Sequence, residues 1–131
     1  MIGLDTNVLV RYIAQDDLQQ SAKATKFIEG ECSAENPGFV SLITLVEIVW
    51  VSESCYAATP KEVSSIVRQV LGTRQLVVQD AEIVWKALRS FESSSAEFAN
   101  CLVWHMASAA GCTATVTFDK KAAKAGMTLL K

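Results

Sequence analysis

Two aspartates each come directly after a short apolar segment of this 131-residue sequence. Asp5 follows the segment at residues 1–4, and Asp119 follows the segment at residues 114–118. In open parallel sheets, ligands bind at the carboxyl ends of the strands, so both side chains are candidates for a functional site. Each aspartate is also a good N-cap for a helix that would follow it. The sequence alone leaves both interpretations open.

Two glutamates complete the acidic set. Glu47 lies within the apolar segment 45–51, and a carboxylate among such neighbours must be paired, neutralised or bound to a metal ion. Glu97 lies early in a predicted helix, and Asn100 projects from the same helix face one turn later. Thr44 and Ser94 precede the two glutamates by three residues, which leaves a capping box as the alternative at each place. A hydrogen bond to a neighbouring loop is the alternative for Asn100.

These carboxylates together predict a site for a hard divalent cation. Acidic side chains crowded at one edge of a sheet repel one another and are stable only around a cation. Oxygen ligands with few histidine or thiolate partners select magnesium or manganese over zinc. The single histidine, His105, is spaced with Phe98 and Cys101 and is interpreted as a packing residue.

The elements that must position these residues alternate between strands and helices. Five short apolar segments are predicted as buried parallel strands: residues 1–4, 38–41, 75–78, 114–118 and 128–130. Helical patterns lie between them, which predicts an α/β fold with helices covering a parallel sheet. The length favours a single domain over residues 1–131.

Three helices can be placed from their end signals. One begins with Thr59 as N-cap and Pro60 at the first helical position, and Gly72 marks its end. Asp80 is predicted to cap the next helix. A third is expected over residues 95–110, and because it is apolar on nearly every side we expect it to be largely buried.

Composition excludes several classes of protein. Half of the residues are hydrophobic and a fifth are charged, with a net charge of −2, so neither disorder nor a global basic field is expected. The longest apolar stretch, residues 39–51, is too short to span a membrane. The N-terminus lacks the features of a secretory signal, and four cysteines without a CxxC pair predict free, mostly buried thiols in a reducing cytoplasm. Basic side chains offer either a local patch or a solvated surface: Arg11, Lys23, Lys26, Lys120, Lys121 and Lys124.

Four segments carry a resemblance to a known family. They are LDTNVL at residues 4–9, Glu47 inside an apolar helix, EFANCL at residues 97–102 and TVTFDK at residues 115–120. In this order and spacing they resemble the motifs of PIN domains, especially the VapC toxins of bacterial toxin–antitoxin pairs. Asp5, Glu47 and Asp119 match acidic positions of that family, and Glu97 matches a position that is often acidic in close relatives. Asn100 departs from the pattern, because the family usually has an aspartate there.

The resemblance implies a Rossmann-like three-layer α/β/α sandwich and a magnesium- or manganese-dependent endoribonuclease that cuts structured RNA. It also implies a homodimer and a small VapB-like antitoxin lying across the acidic groove. In this interpretation Asp5, Glu47, Glu97 and Asp119 hold the metal, which activates a water molecule against the phosphate. Thr6 and Asn7 would order the site or contact substrate. Lys120 and Lys121 would bind the RNA phosphates on either side of the cleaved bond.

Two other functions stay open. The domain could be an interaction module that binds an antitoxin without turnover, which the uncharged Asn100 favours. It could also be an aspartate-based phosphatase or phosphoacceptor with Asp5 as nucleophile, although neither a DxD motif nor an acidic pair before Asp5 is present. The apolar residues 48–51 together with Tyr56 further predict self-association, or else plain core packing.

Overall fold

The computed structural model describes all residues from 1 to 131. The chain divides into two compact units, Met1–Gln79 and Asp80–Lys131, and each is described by itself. The single domain expected from length therefore stays a prediction. The α/β class is confirmed, because both units contain parallel strands joined through helices.

The first unit is built on a three-stranded parallel sheet. Its strands are β1 (Ile2–Gly3), β2 (Gly38–Val40) and β3 (Leu76–Val78), in the spatial order β1-β2-β3. The helices are α1 (Thr6–Ala14), α2 (Leu18–Lys26), α3 (Leu42–Tyr56) and α4 (Pro60–Gly72). A π-helical segment, Phe27–Glu31, continues α2. The core of this unit is formed by fully buried aliphatic side chains, among them Leu9, Ile28, Val40, Leu45, Val63 and Val67.

A glycine at the start of β2 allows close packing across this sheet. A Cβ atom on Gly38 would lie 2.6 Å from Cδ1 of Leu4 and 3.1 Å from Cδ2 of Leu76. Both leucines are buried and come from segments on either side of β2. Any larger residue at position 38 would therefore displace a core side chain.

The second unit contains a helix pair and a small parallel strand pair. Its elements are α5 (Ala81–Glu92), α6 (Phe98–Ala109), β4 (Val116–Thr117), α7 (Lys120–Ala125) and β5 (Thr128–Leu129). The rings of Phe91 and Phe98 pack edge to face, with centroids 5.9 Å apart. This aromatic contact joins α5 to α6, and β4 pairs in parallel with β5.

All five predicted strands are present, each shorter than expected. The prediction that they are buried holds for β2 and β3 but is wrong for β1, β4 and β5, whose residues are exposed or half-buried. The predicted start of α4 is confirmed, since Thr59 and Glu62 form a reciprocal capping box with Pro60 in the first turn. Asp80 does occupy the N-cap of α5, but its backbone is left-handed and its side chain makes no capping bond.

Two predictions about the second unit and the thiols were wrong. Helix α6 begins at Phe98 rather than residue 95 and is only partly buried, because Val103 and Met106 are 51% and 40% exposed. The thiols are free, but Cys55 and Cys112 are exposed, so they are not mostly buried. No helix has the length and apolarity required to cross a membrane.

Candidate active site

Asp5 lies between β1 and α1, where the chain turns from the sheet into the helix. It occupies the N-cap position with an extended backbone, φ −80° and ψ 158°, but its carboxylate accepts no capping hydrogen bond. The side chain is exposed. The alternative interpretation of Asp5 as a cap is therefore right about position and wrong about bonding, and the carboxylate is available to a ligand.

A hydrogen bond ties the start of α1 to the middle of α3. Thr6, the residue after Asp5, is buried, and its hydroxyl donates to Oε1 of Glu47 at 3.0 Å. This bond spans 41 positions of the chain. It fixes Oε1 of Glu47 beside Thr6, the residue that follows Asp5, and leaves Oε2 without a protein donor.

The surroundings of Glu47 differ from the sequence prediction. Glu47 is exposed, because the buried residues of α3 lie on the opposite face of the helix. The capping-box alternative is also wrong: α3 begins earlier, and Ser41 is its N-cap, accepting from the backbone N–H of Thr44 at 3.1 Å. Glu47 is consequently a solvent-facing carboxylate held by Thr6.

Asp119 of the second unit makes two hydrogen bonds with residues close to it in the sequence. One carboxylate oxygen, Oδ1, accepts from the backbone N–H of Ala122 at 3.0 Å and so caps α7. The backbone N–H of Asp119 donates to Oγ1 of Thr117 at 3.0 Å. The capping interpretation of Asp119 is thus confirmed. A metal ion bound by Asp119 would have to use Oδ2 or the remaining lone pair of Oδ1.

Asn100 contacts that second oxygen. Its side-chain amide nitrogen donates to Oδ2 of Asp119 at 3.5 Å. The alternative proposed for Asn100, a bond to a neighbouring loop, is close to this observation, because Asp119 is the residue between β4 and α7. The pair joins the first turn of α6 to the start of α7.

Glu97 stands at the N-cap of α6, with an extended backbone and no capping hydrogen bond from its side chain. The predicted capping box with Ser94 is absent, since the Ser94 hydroxyl donates to the carbonyl of Ser90 at 2.7 Å instead. Like Asp5, Glu97 is an exposed carboxylate at a helix start. It is therefore free to bind a cation.

Of the four residues predicted to contact substrate, Thr6 is buried and therefore misplaced in that role, whereas the other three are accessible. Asn7 is exposed in the first turn of α1, and Lys120 and Lys121 are exposed at the start of α7. Neither lysine forms an ion pair. Their ammonium groups are thus available to an anionic ligand.

His105 is a structural residue of the second unit. Its Nε2 lies 2.7 Å from the Ser90 hydroxyl, and its ring packs against Trp104 with centroids 4.4 Å apart. Burial, and to a smaller degree the nearby cations Lys86 and Arg89, lower the pKa of His105. The prediction of a packing role agrees with these contacts.

The donor chemistry of the first unit fits a hard divalent cation. Asp5 and Glu47 are exposed carboxylates, Glu47 is hydrogen-bonded to the residue that follows Asp5, and all of their donor atoms are oxygen. Mg²⁺ is typically held by one or two carboxylates together with water and substrate phosphate, which such a pair can provide. Neither unit by itself gathers three or more His, Cys, Asp or Glu side chains into a group that could hold a metal ion.

Comparison with known families identifies the class of protein. The PIN domain family matches residues 2–126, which is nearly the whole chain, so the protein belongs to the PIN domain family. Members of this family are in general metal-dependent nucleases. A search of curated proteins gave no match.

Proposed function

We propose that this protein is a magnesium- or manganese-dependent endoribonuclease of the VapC toxin type. The observation that carries the proposal is the bond from Thr6 to Glu47, which holds a carboxylate at the residue that follows Asp5 near the carboxyl end of β1. Family membership supplies the general activity. RNA as the substrate and the toxin role rest on the resemblance of the four acidic motifs.

In this proposal Asp5, Glu47, Glu97 and Asp119 hold the metal. When bound, the metal would lower the pKa of a water molecule and neutralise charge on the phosphate. Thr6 restricts the rotation of Glu47 by donating to Oε1 and leaves Oε2 for binding. From the resemblance to VapC toxins we further propose that the products carry 5′-phosphate and 3′-hydroxyl ends.

The remaining residues act on the substrate. Lys120 and Lys121 bind phosphates flanking the cleaved bond, since both are exposed and unpaired. Asn7 orders the loop or contacts the RNA from the first turn of α1. Four free cysteines suit a reducing cytoplasm as the working compartment.

Metal titration and RNA cleavage test this function together. Glu47→Gln keeps an acceptor for Thr6 and removes one charge, so we expect manganese affinity and cleavage to fall at least about tenfold. Asp5→Asn, Glu97→Gln and Asp119→Asn should act alike if all four acids serve one site. Glu35→Gln, at an exposed loop position, is the charge-matched control. Equal metal affinity in Glu47→Gln, Asp5→Asn and the control would refute the metal site.

We further propose a homodimer and a VapB-like antitoxin as partners. The outer face of α3 supports this, because Ile43 and Trp50 are 75% and 63% exposed and share a face at helical spacing with Glu47. The sequence prediction placed Ile48 and Val49 on this surface, but both are buried. A monomer by light scattering at tens of micromolar, roughly where modest dimers form, would exclude self-association.

A catalytically weak interaction module is the second candidate. Asn100 favours it, since by the resemblance the family usually has an acid there and this chain has a neutral amide in contact with Asp119 instead. If the protein binds an antitoxin but shows no manganese-dependent RNA cleavage, the interaction module is the correct function. Cleavage that Asp5→Asn abolishes would decide for the nuclease.

A further inference from the structure

A cavity of about 620 Å³ opens in the first unit against β1 and the first turns of α1, and Asp5 itself does not line it. Its lining includes residues on both sides of that aspartate, from Gly3 and Leu4 to Asn7 and Val8. The opposite wall comes from α2 and the π-helical segment that follows it. This volume lies within the range of sites that accept small ligands or single nucleotides.

The chemistry of the lining is divided between apolar side chains and cations. Val8, Ala24 and the half-buried ring of Phe27 supply apolar surface. Lys23 and Arg11 supply positive charge. A ligand that fits both parts combines an apolar group, for which an aromatic ring is well suited beside Phe27, with a negative charge.

The two cations are not equivalent. Arg11 is already engaged, because one guanidinium nitrogen lies 3.1 Å from Oδ1 of Asp16 and Nε donates to Gln20 at 2.8 Å. Lys23 is exposed and forms no ion pair. The free charge at the cavity therefore belongs to Lys23, and Arg11 mainly shapes the wall.

We propose that this cavity is a subsite for one nucleotide of the RNA substrate, with the base against Phe27 and Val8 and a backbone phosphate on Lys23. A nucleotide has the required combination of an aromatic plane and an adjacent anion, and base stacking on an aromatic side chain tolerates every base. The subsite deepens the proposed function, because it would hold a nucleotide next to the one cut at Asp5.

Binding of fluorescein-labelled oligoadenylate in EDTA tests the subsite without cleavage. We expect Lys23→Ala to weaken binding about fivefold and to reduce the slope of log K against log salt by about 0.7, the value for one phosphate contact on a single strand. Phe27→Leu, which keeps apolar bulk and loses the aromatic plane, should weaken binding about tenfold. Lys26→Ala is the matched control, since Lys26 is exposed on the same helix and does not line the cavity.

Adenosine 5′-monophosphate provides a second measurement by amide NMR. Shifts that concentrate at Gly3, Asn7, Val8, Lys23 and Ala24 support the subsite. The proposal is overturned if Lys23→Ala and Lys26→Ala have equal effects, if Phe27→Leu binds RNA as tightly as the wild type, or if the shifts lie elsewhere. It is also overturned if Lys23→Ala loses only antitoxin binding, because the cavity then serves a protein.

The outcomes separate this inference from the nuclease proposal. Because binding is measured in EDTA, failure of metal-dependent cleavage leaves the dependence of RNA binding on Lys23 intact. Conversely, normal cleavage with no effect of Lys23→Ala and Phe27→Leu refutes the subsite and leaves the nuclease standing.

Discussion

The side-chain amide of Asn100 donates to Oδ2 of Asp119 at 3.5 Å, so a neutral group lies beside this carboxylate. The amide contacts Asp119 at the outer limit of hydrogen-bond distance and adds no charge. An aspartate at position 100 would instead place two negative charges together, which only a bound metal or a shared proton would relieve.

Asn100→Asp should make the second unit depend on metal. We expect manganese affinity and RNA cleavage to rise at least about tenfold, which requires only about 1.4 kcal/mol of additional stabilisation. Without metal the melting temperature should fall, and manganese should restore it. Thermal unfolding with and without manganese, beside cleavage assays, measures both effects. A lower melting temperature that manganese does not restore, with unchanged cleavage, would show that Asn100 is purely structural.

Thr6 should act through Glu47. Thr6→Val keeps the shape of a buried side chain and removes the hydroxyl that donates to Glu47. We expect metal affinity to fall about tenfold, as for other residues that orient ligands. Thr6→Ser, which keeps the hydroxyl, should retain most of the affinity. If the valine and serine variants bind manganese equally, the hydrogen bond does not position Glu47.

His105 should make stability sensitive to mild acid. Its folded pKa is lowered by burial and by Lys86 and Arg89, so the folded state disfavours the proton. The stability this provides is complete above the unfolded pKa of about 6.5 and is lost as pH falls toward the lowered folded pKa. Asp16 and Glu62, whose pKa values are lowered by their hydrogen bonds, lose their contribution at lower pH. In urea unfolding at several pH values, the free energy of unfolding should therefore change less steeply with pH near pH 6 in His105→Gln than in the wild type. Equal slopes in the two proteins would contradict this assignment.

Two glycines with positive φ provide a matched pair in the second unit. Gly126 has φ +151°, and a Cβ there would lie 2.3 Å from the Trp104 ring, whereas Gly111 at φ +95° faces open space. Gly126→Ala should cost about 1–3 kcal/mol of unfolding free energy through overpacking. Gly111→Ala carries backbone strain alone and should cost less, about 1 kcal/mol. Equal losses in denaturant titrations would mean that Trp104 moves freely away.

Strand positions could be predicted because each strand is a short apolar segment bounded by polar residues. Helix α2 was missed, since its sequence is mostly polar and small and gives little apolar periodicity. Its N-cap did leave a signal: Asp17 accepts from the backbone N–H of Gln20, which fits the acidic start of a capping box. That omission also hid the wall of the cavity that carries Lys23.

The positions of the candidate acids in the fold were partly predictable, but their environments were not. Asp5 lies between β1 and α1, as strand-end reasoning anticipates, and Glu97 lies at the start of α6, as the helical pattern anticipates. Glu47 shares the exposed face of α3 with Ile43 and Trp50, as their helical spacing requires. Counting the apolar residues next to Glu47 along the chain does not reveal this face. Its bond to Thr6 connects residues 41 positions apart, and no local pattern contains it.

The close packing at Gly38 links a residue without any functional group to the proposed chemistry. Leu4 fills the space that a side chain at position 38 would need, and Leu4 directly precedes Asp5. A genetic selection for cells that survive expression of the proposed toxin should therefore recover substitutions at Gly38 alongside those at the carboxylates. Such survivors would carry an intact set of acids, and an inspection limited to acidic positions would overlook why they are harmless.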